Sequence, residues 1–279
     1  MKDFRSLVYP YIGWISVFIV IPMLMIVLYA FTQAGNTVIN LSFTLNNFSK
    51  FFAPVFEKVL FSSIQIAVLT TAACILVGYP VAYIVANSAE RWRATLLLLV
   101  TMPQWINMLV RLYALSGILS ESGILNTLFA KLGLPTFNIL YTDTAVIIGM
   151  VYNFLPYMIL PIYTALSKMD KSLINASYDL GANRFQTFWR VVFPLSLPGV
   201  VSGIIMVFLP AVSTFVIPKM LGGNKMLIGN LIENQFITVG EWNFGSAISL
   251  IMAIIIVISM YFMKKIDKDT VEDGGKKLW

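Results

Sequence analysis

Apolar residues along this chain gather in six long runs, at about 9–31, 59–86, 94–116, 145–166, 199–217 and 244–263. At about 1.5 Å of rise per helical residue, runs of this length cross a hydrocarbon core of about 30 Å. The pattern predicts an all-α membrane protein of about six transmembrane helices. The first run is longer than a signal-peptide core and has no small-residue cleavage site close behind it, so it is expected to stay as an uncleaved anchor.

Three of the runs are interrupted on one side by polar or small residues. In the third, Gln104, Asn107 and Arg111 fall at positions 0, +3 and +7, which places them on one face of a continuous helix. In the fourth, Gly149, Tyr152, Asn153 and Pro156 repeat at 0, +3, +4 and +7, and the fifth carries Gly199, Ser202, Gly203, Pro210, Ser213 and Thr214. Such faces avoid lipid. They serve either as helix packing surfaces, which favour small residues, or as the walls of a polar pathway.

Composition agrees with a bilayer as solvent: 58% of residues are hydrophobic, 11% are charged, and the mean hydropathy is +0.83. The net charge of +6 would fit a nucleic-acid partner, but its distribution explains it otherwise. With the N-terminus inside, thirteen Lys and Arg, among them Arg91, Arg93, Lys168, Arg184 and Lys264, fall in cytoplasmic segments and five in external ones. That asymmetry predicts both termini in the cytoplasm and no nucleic-acid partner. The mixed-sign tail, 265–279, reads as a solvated end.

There is no His, and the single Cys74 sits in an apolar run as a small core residue. His triads, disulfide frameworks and His-liganded metals are thereby excluded within the chain. No Gly-rich phosphate loop with Lys and Ser or Thr is present, so no ATP hydrolysis and no bound cofactor are expected of it. Asp143, Glu233 and Glu241 fall near the predicted outer surface, where they either attract cations or are ordinary solvated charges.

The cytoplasmic connection 167–198 is too long for a simple turn. Asp170 can cap a helix over about 171–180, Gly181 can supply the left-handed residue that ends it, and Asn183 can cap a second helix running toward Pro194. On that second helix Phe185, Phe188, Trp189 and Val192 recur at 0, +3, +4 and +7, an apolar stripe that must be buried against protein or lipid.

The run Asn175-Ala176-Ser177, followed four residues later by Gly181 and then by Val191-Val192-Phe193-Pro194, resembles the EAA loop of binding-protein-dependent ABC importer permeases. The family reads Glu-Ala-Ala, three residues, Gly, nine residues, Ile-x-Leu-Pro, and the spacing here matches throughout. Asn175, Ser177, Val191 and Phe193 depart from it in identity, and Asn175 removes the charge of the family's Glu. Within that family, Pro103-Gln104-Trp105-Ile106-Asn107 followed by Arg111, Phe154-Leu155-Pro156-Tyr157-Met158, and Leu221-Gly222-Gly223 with Ile228-Gly229-Asn230 look like the B-type permeases of spermidine/putrescine importers.

The resemblance implies a type I importer permease fold, with an anchor helix and external segment over 1–57, a permease core over 58–264 and a cytoplasmic tail. It implies a multi-pass protein of the bacterial inner membrane forming half of a polyamine pathway. The implied partners are a second permease subunit, an ATPase dimer that holds ATP-Mg, and an extracytoplasmic polyamine-binding protein. Asn175, Ala176, Ser177, Gly181, Phe185, Phe188, Trp189 and Pro194 would couple the chain to the ATPase. For a cationic cargo, aromatic faces and neutral polar groups make Trp105, Asn107, Tyr152, Asn153 and Tyr157 the pathway residues. Arg111 would repel a polycation and is expected to be a structural or gating charge. The same machine for an amino acid or an oxyanion is an alternative. An ion-coupled carrier is another, although no carboxylate lies well inside a predicted span.

Overall fold

The structure, a computed structural model, describes residues 8–33, 42–223 and 226–276, with side chains as far as Tyr261. Lys2, Arg5, Lys225 and Lys277, and the side chains of Lys264, Lys265, Lys268 and Lys276, all part of the charge asymmetry, lie outside that description. Six helical stretches are long and apolar enough to cross a membrane: Val8–Ala30, Pro54–Asn87, Met108–Lys131, Asp143–Ser167, Arg184–Ser213 and Trp242–Tyr261.

In chain order the helices are α1 (Val8–Ala30), α2 (Asn46–Phe51), α3 (Pro54–Asn87), α4 (Glu90–Thr101), α5 (Met108–Leu119), α6 (Ile124–Lys131), α7 (Asp143–Ser167), α8 (Lys171–Asp179), α9 (Arg184–Ser213), α10 (Val216–Leu221), α11 (Ile228–Asn234) and α12 (Trp242–Lys276). Two compact units can be told apart. One gathers the described parts of 1–61 and 228–257, the other those of 62–227 and 258–279.

The expected third span is not one helix. Pro103 removes a backbone donor, the chain tightens into a 3₁₀ turn over Met102–Trp105, and Ile106 is extended at φ −85°, ψ 138°. Asn107 then starts α5 as its N-cap, accepting a 2.8 Å hydrogen bond from Leu109 N–H. Gln104, Asn107 and Arg111 therefore do not share a helical face, because the periodicity that aligned them ends at the break. The stretch long and apolar enough to cross here is Met108–Lys131, which begins directly after the break, so the third span lies later in the chain than the run 94–116 suggested.

The second of the two helices expected in 167–198 does not stop at Pro194. It runs on as α9 into the fifth span, through a π turn over Phe188–Val192 in which Phe193 N–H reaches back five residues to the Phe188 carbonyl. The widened turn accommodates the proline that follows it. The same device recurs in α1, where a π turn over Ser16–Val20 closes with Ile21 N–H on the Ser16 carbonyl, one residue before Pro22.

In the larger unit α7 and α9 meet through small residues. A Cβ at Gly199 would lie 2.7 Å from the Pro161 carbonyl oxygen, and one at Gly203 would lie 2.6 Å from Met158 Sδ. Met158, fully buried, is wedged between Gly203 of α9 and Gly78 of α3. The Tyr79 and Ser196 hydroxyls share a buried 2.8 Å hydrogen bond that ties α3 to α9. The small-residue face of the fifth span is thus a packing surface at Gly199 and Gly203. In the smaller unit the carbonyls at the end of α1 are taken by two asparagines. Asn47 Nδ2 donates to Ala30 and Thr32, and Asn243 Nδ2 donates to Tyr29 and Thr32.

Candidate functional site

The elbow between α8 and α9 is assembled almost wholly from local signals. Asp170 accepts from Ser172 N–H at 2.9 Å and opens α8. This bond holds the Asp170 carboxyl below its ordinary value, so the ionised cap is present at neutral pH and is lost as pH falls through that lowered value. At the other end, Gly181 N–H bonds the Tyr178 carbonyl and Ala182 N–H the Ser177 carbonyl, the two closures of a Schellman ending, with Gly181 at φ +81°. Asn183 and Gln186 then form a reciprocal capping box that starts α9.

One further bond joins the two helices. Ser177 Oγ and Thr187 Oγ1 lie 2.9 Å apart and both residues are buried, while Ser177 also donates to the Ile174 carbonyl at 2.8 Å. Thr187 had no periodic signal to mark it. Ser177→Ala is expected to loosen the elbow by about 1 kcal/mol, read as roughly five-fold faster amide exchange over 181–187. Thr187→Ala added to it should cost little more, because the pair is already broken. Full additivity of the two changes would mean that the hydroxyls do not act on each other.

The apolar stripe of the second helix is split. Phe188 is half-buried, edge-on to Tyr79 and Tyr83 of α3 at 5.7 and 5.8 Å between centroids, and Val192 is buried. Phe185 and Trp189 face outward at 72% and 50% exposure. The π turn changes the angular step after Thr187, so residues spaced for an α-helix part company. Leu180, 88% exposed at the tip of the elbow, joins Leu173, Tyr178, Phe185 and Trp189 on the exterior. Periodicity could not find Leu180 because it sits in the turn itself. Asn175 and Ala176 are exposed on α8, and Pro194 lies in the turn that carries α9 onward.

The pathway candidates are distributed over the break and α7. Trp105 is 73% exposed at the unwound segment, and Asn107 spends its side-chain oxygen on capping α5. Among the described residues no backbone N–H donates to the carbonyls of Gln104, Trp105 or Ile106. Asn153, 4% exposed, donates from Nδ2 to the Gly149 carbonyl at 2.8 Å, and its Oδ1 is buried without a donor. Tyr152 and Tyr157 are exposed, and neither they nor Trp105 make ring contacts with one another. Arg111 is brought to Tyr152, with its guanidinium carbon 5.8 Å from the ring centroid. Of the carboxylates expected near the outer surface, Glu241 pairs with Lys50 at 3.7 Å. A cleft of about 320 Å³ between α3 and α4 is lined by Val81, Ile84, Val85, Leu96, Leu99 and Val100, an aliphatic wall with nothing to hold a polar solute.

Comparison with known proteins adds the family. The chain is 38% identical to the spermidine/putrescine transport system permease protein PotB of Haemophilus influenzae over 92% of this chain and 91% of that protein. It is 39% identical to the PotB protein of Escherichia coli K12 over 88% of this chain and 90% of the relative. Among solved structures, a bacterial ABC transporter involved in the import of the acidic polysaccharide alginate superposes with a TM-score of 0.75 at 16% identity, covering 96% of each chain. The MetNI methionine ABC transporter gives 0.57 at 16% identity, over 77% of this chain and 95% of that one. Residues 78–271 match the family described as binding-protein-dependent transport system inner membrane component, and with six helices long and apolar enough to cross a membrane and a capped elbow between two of its helices this chain belongs to that family of importer permeases.

Proposed function

We propose that this chain forms one half of the membrane pathway of an ATP-driven polyamine importer. The reading is carried by identity of 38–40% over about nine-tenths of the chain to permeases named for spermidine and putrescine. Its pathway is lined at the break by Trp105 and by the free carbonyls of 104–106. A flexible organic cation is suited to such a place, because aromatic faces and carbonyl oxygens both attract ammonium groups. Backbone carbonyls without donors are tolerated in a membrane only against protein or water, which argues that this segment faces the pathway or a partner. Asn107, Tyr152, Asn153 and Tyr157 belong to the same region of the pathway.

A second, paralogous permease completes the pathway. An ATPase dimer holding ATP-Mg docks on the elbow through Leu180, Phe185 and Trp189, and an extracytoplasmic polyamine-binding protein delivers cargo. Both termini lie in the cytoplasm. Because α8, the elbow and α9 are joined without an unsatisfied end, a displacement of the elbow is carried directly along α9 into the bundle.

Uptake of radiolabelled spermidine by the reconstituted complex, with putrescine, an amino acid or an oxyanion competing, tests the reading. Putrescine should compete and the others should not. Trp105→Ala is expected to raise the half-saturating concentration by about 2- to 30-fold, the value of one cation–π contact of about 0.5–2 kcal/mol, without loss of assembled complex. Unchanged transport in that variant would leave Trp105 as a packing residue.

A further inference from the structure

The hairpin of α3 and α4 has an aliphatic cleft along its length and a charged turn at its end. The membrane-crossing stretch of α3 ends at Asn87, so the turn at Ser88 and Ala89 lies at a membrane surface, and α4 leaves it at Glu90. On α3 Val81, Ile84 and Val85 recur at 0, +3 and +4, and on α4 Leu96, Leu99 and Val100 repeat the same spacing, one aliphatic row on each helix. These two rows are the walls of the cleft of about 320 Å³. Water is not what such walls hold, since a buried water needs about two to four polar partners and no polar side chain lines them. Val100 stands ten residues after Glu90, about 15 Å along the helix, or half of a hydrocarbon core of about 30 Å. The cleft therefore reaches from the turn about as deep as one leaflet.

At the turn the chemistry changes. Arg93 Nη2 donates to the Ala86 and Ser88 carbonyls at 3.2 and 3.3 Å, which holds the guanidinium against the end of α3, while its Nε is buried without a hydrogen-bond partner. Arg91 is exposed, and among the described residues neither arginine forms an ion pair with Glu90, which shares the first turn of α4. Two positive charges against one negative leave the turn net positive. Trp92, between the arginines, is exposed, as suits an indole at headgroup level. We propose that this hairpin binds one anionic phospholipid, with an acyl chain in the aliphatic cleft and the phosphate at Arg91 and Arg93. A zwitterionic lipid fits the walls equally well, but its own cation offsets the attraction of the turn. The headgroup charge is thus what the site selects.

The test places the assembled complex in phosphatidylcholine bilayers that carry a trace of phosphatidylglycerol with a photoactivatable group on one acyl chain, or the same chains on a choline headgroup. Residues labelled on irradiation are read by mass. The glycerol probe is expected to label 81–85 and 96–100 about fivefold more than the choline probe, the value of one net positive charge at a membrane surface, while both label the exposed Leu76 of α3 equally. Arg91→Gln should abolish that preference and Glu90→Gln should raise it about fivefold further. Leu99→Trp, which fills the cleft from its exposed side, should cut labelling of 81–85 by about tenfold for both probes and leave Leu76 unchanged. The proposal is overturned if the two probes label the cleft equally, if Leu99→Trp leaves the labelling of 81–85 intact, or if Leu76 alone is labelled, which would mean that a helix of another subunit covers the cleft. Glu90 and Arg91 are exposed, so their variants decide the matter even if the tryptophan variant does not assemble. Transport plays no part in these measurements, so the cargo assignment is read separately.

Discussion

Gly199→Val is expected to leave little folded protein in the membrane. Even the first carbon of such a side chain would sit 2.6 Å from Ala165 Cβ, 2.7 Å from the Pro161 carbonyl oxygen and 3.1 Å from Ile162 Cα. Two of those three are backbone atoms of α7, so no rotamer change relieves the contact and the helices must separate. Overpacking of this kind costs about 1–3 kcal/mol at an ordinary core site and more where the backbone itself must move. Gly203→Ala is the informative contrast. Its Cβ meets Met158 Sδ at 2.6 Å but backbone only at 3.3 Å, and the thioether end of a methionine can turn aside. The yield of monodisperse protein and the midpoint of thermal unfolding in detergent should fall sharply for Gly199→Val and slightly for Gly203→Ala. Equal effects at the two positions would mean that α7 and α9 are not held at contact distance by Gly199.

Gly181→Val is expected to act on coupling and leave insertion alone. Nothing lies within 4 Å of the carbon it would add, so the cost is conformational: φ is +81°, where a branched side chain is strained by about 1–2 kcal/mol or more. Relief of that strain swings Leu180 and Phe185 away from each other, and a docking equilibrium feels the same free energy as about a 5- to 30-fold loss. Membrane yield should be unchanged, co-purification of the ATPase reduced, and cargo-stimulated hydrolysis in proteoliposomes abolished. Gly181→Asn, which tolerates the left-handed region better, should lie between the two. Normal coupling in the valine variant would remove the elbow from the ATPase contact.

How much of this was legible in the sequence depends on how local each signal is. The spans were readable because burial in lipid imposes one requirement on about twenty consecutive residues. The elbow was readable almost residue by residue, since Asp170, Gly181 and Asn183 each act on backbone groups two or three positions away. The break at 102–107 was misread as a helical face because 0, +3 and +7 also occur by chance. Pro103 with Asn107, a breaker followed by a cap, was the competing signal and it prevailed. The π turn at Phe188–Val192 left no advance trace beyond Pro194, yet it decides which of four aromatic and aliphatic side chains look outward. The Ser177–Thr187 bond, the approach of Gly199 to Pro161 and the meeting of Arg111 with Tyr152 depend on how separate helices are brought together, which no single stretch of sequence encodes.

The two asparagines at the end of α1 have a consequence for the order in which the chain is made. Asn47 follows α1 closely and is available almost as soon as that helix leaves the ribosome, but Asn243 comes 211 residues after Thr32, to whose carbonyl it donates. Until that late residue has emerged, the Tyr29 carbonyl has only the nearby donors of Thr32, and α1 is made long before its tie to Asn243 can form. Biogenesis of the smaller unit is in this sense the joining of an early segment to a late one, and a nascent chain stalled short of residue 243 carries an anchor still waiting for its clasp.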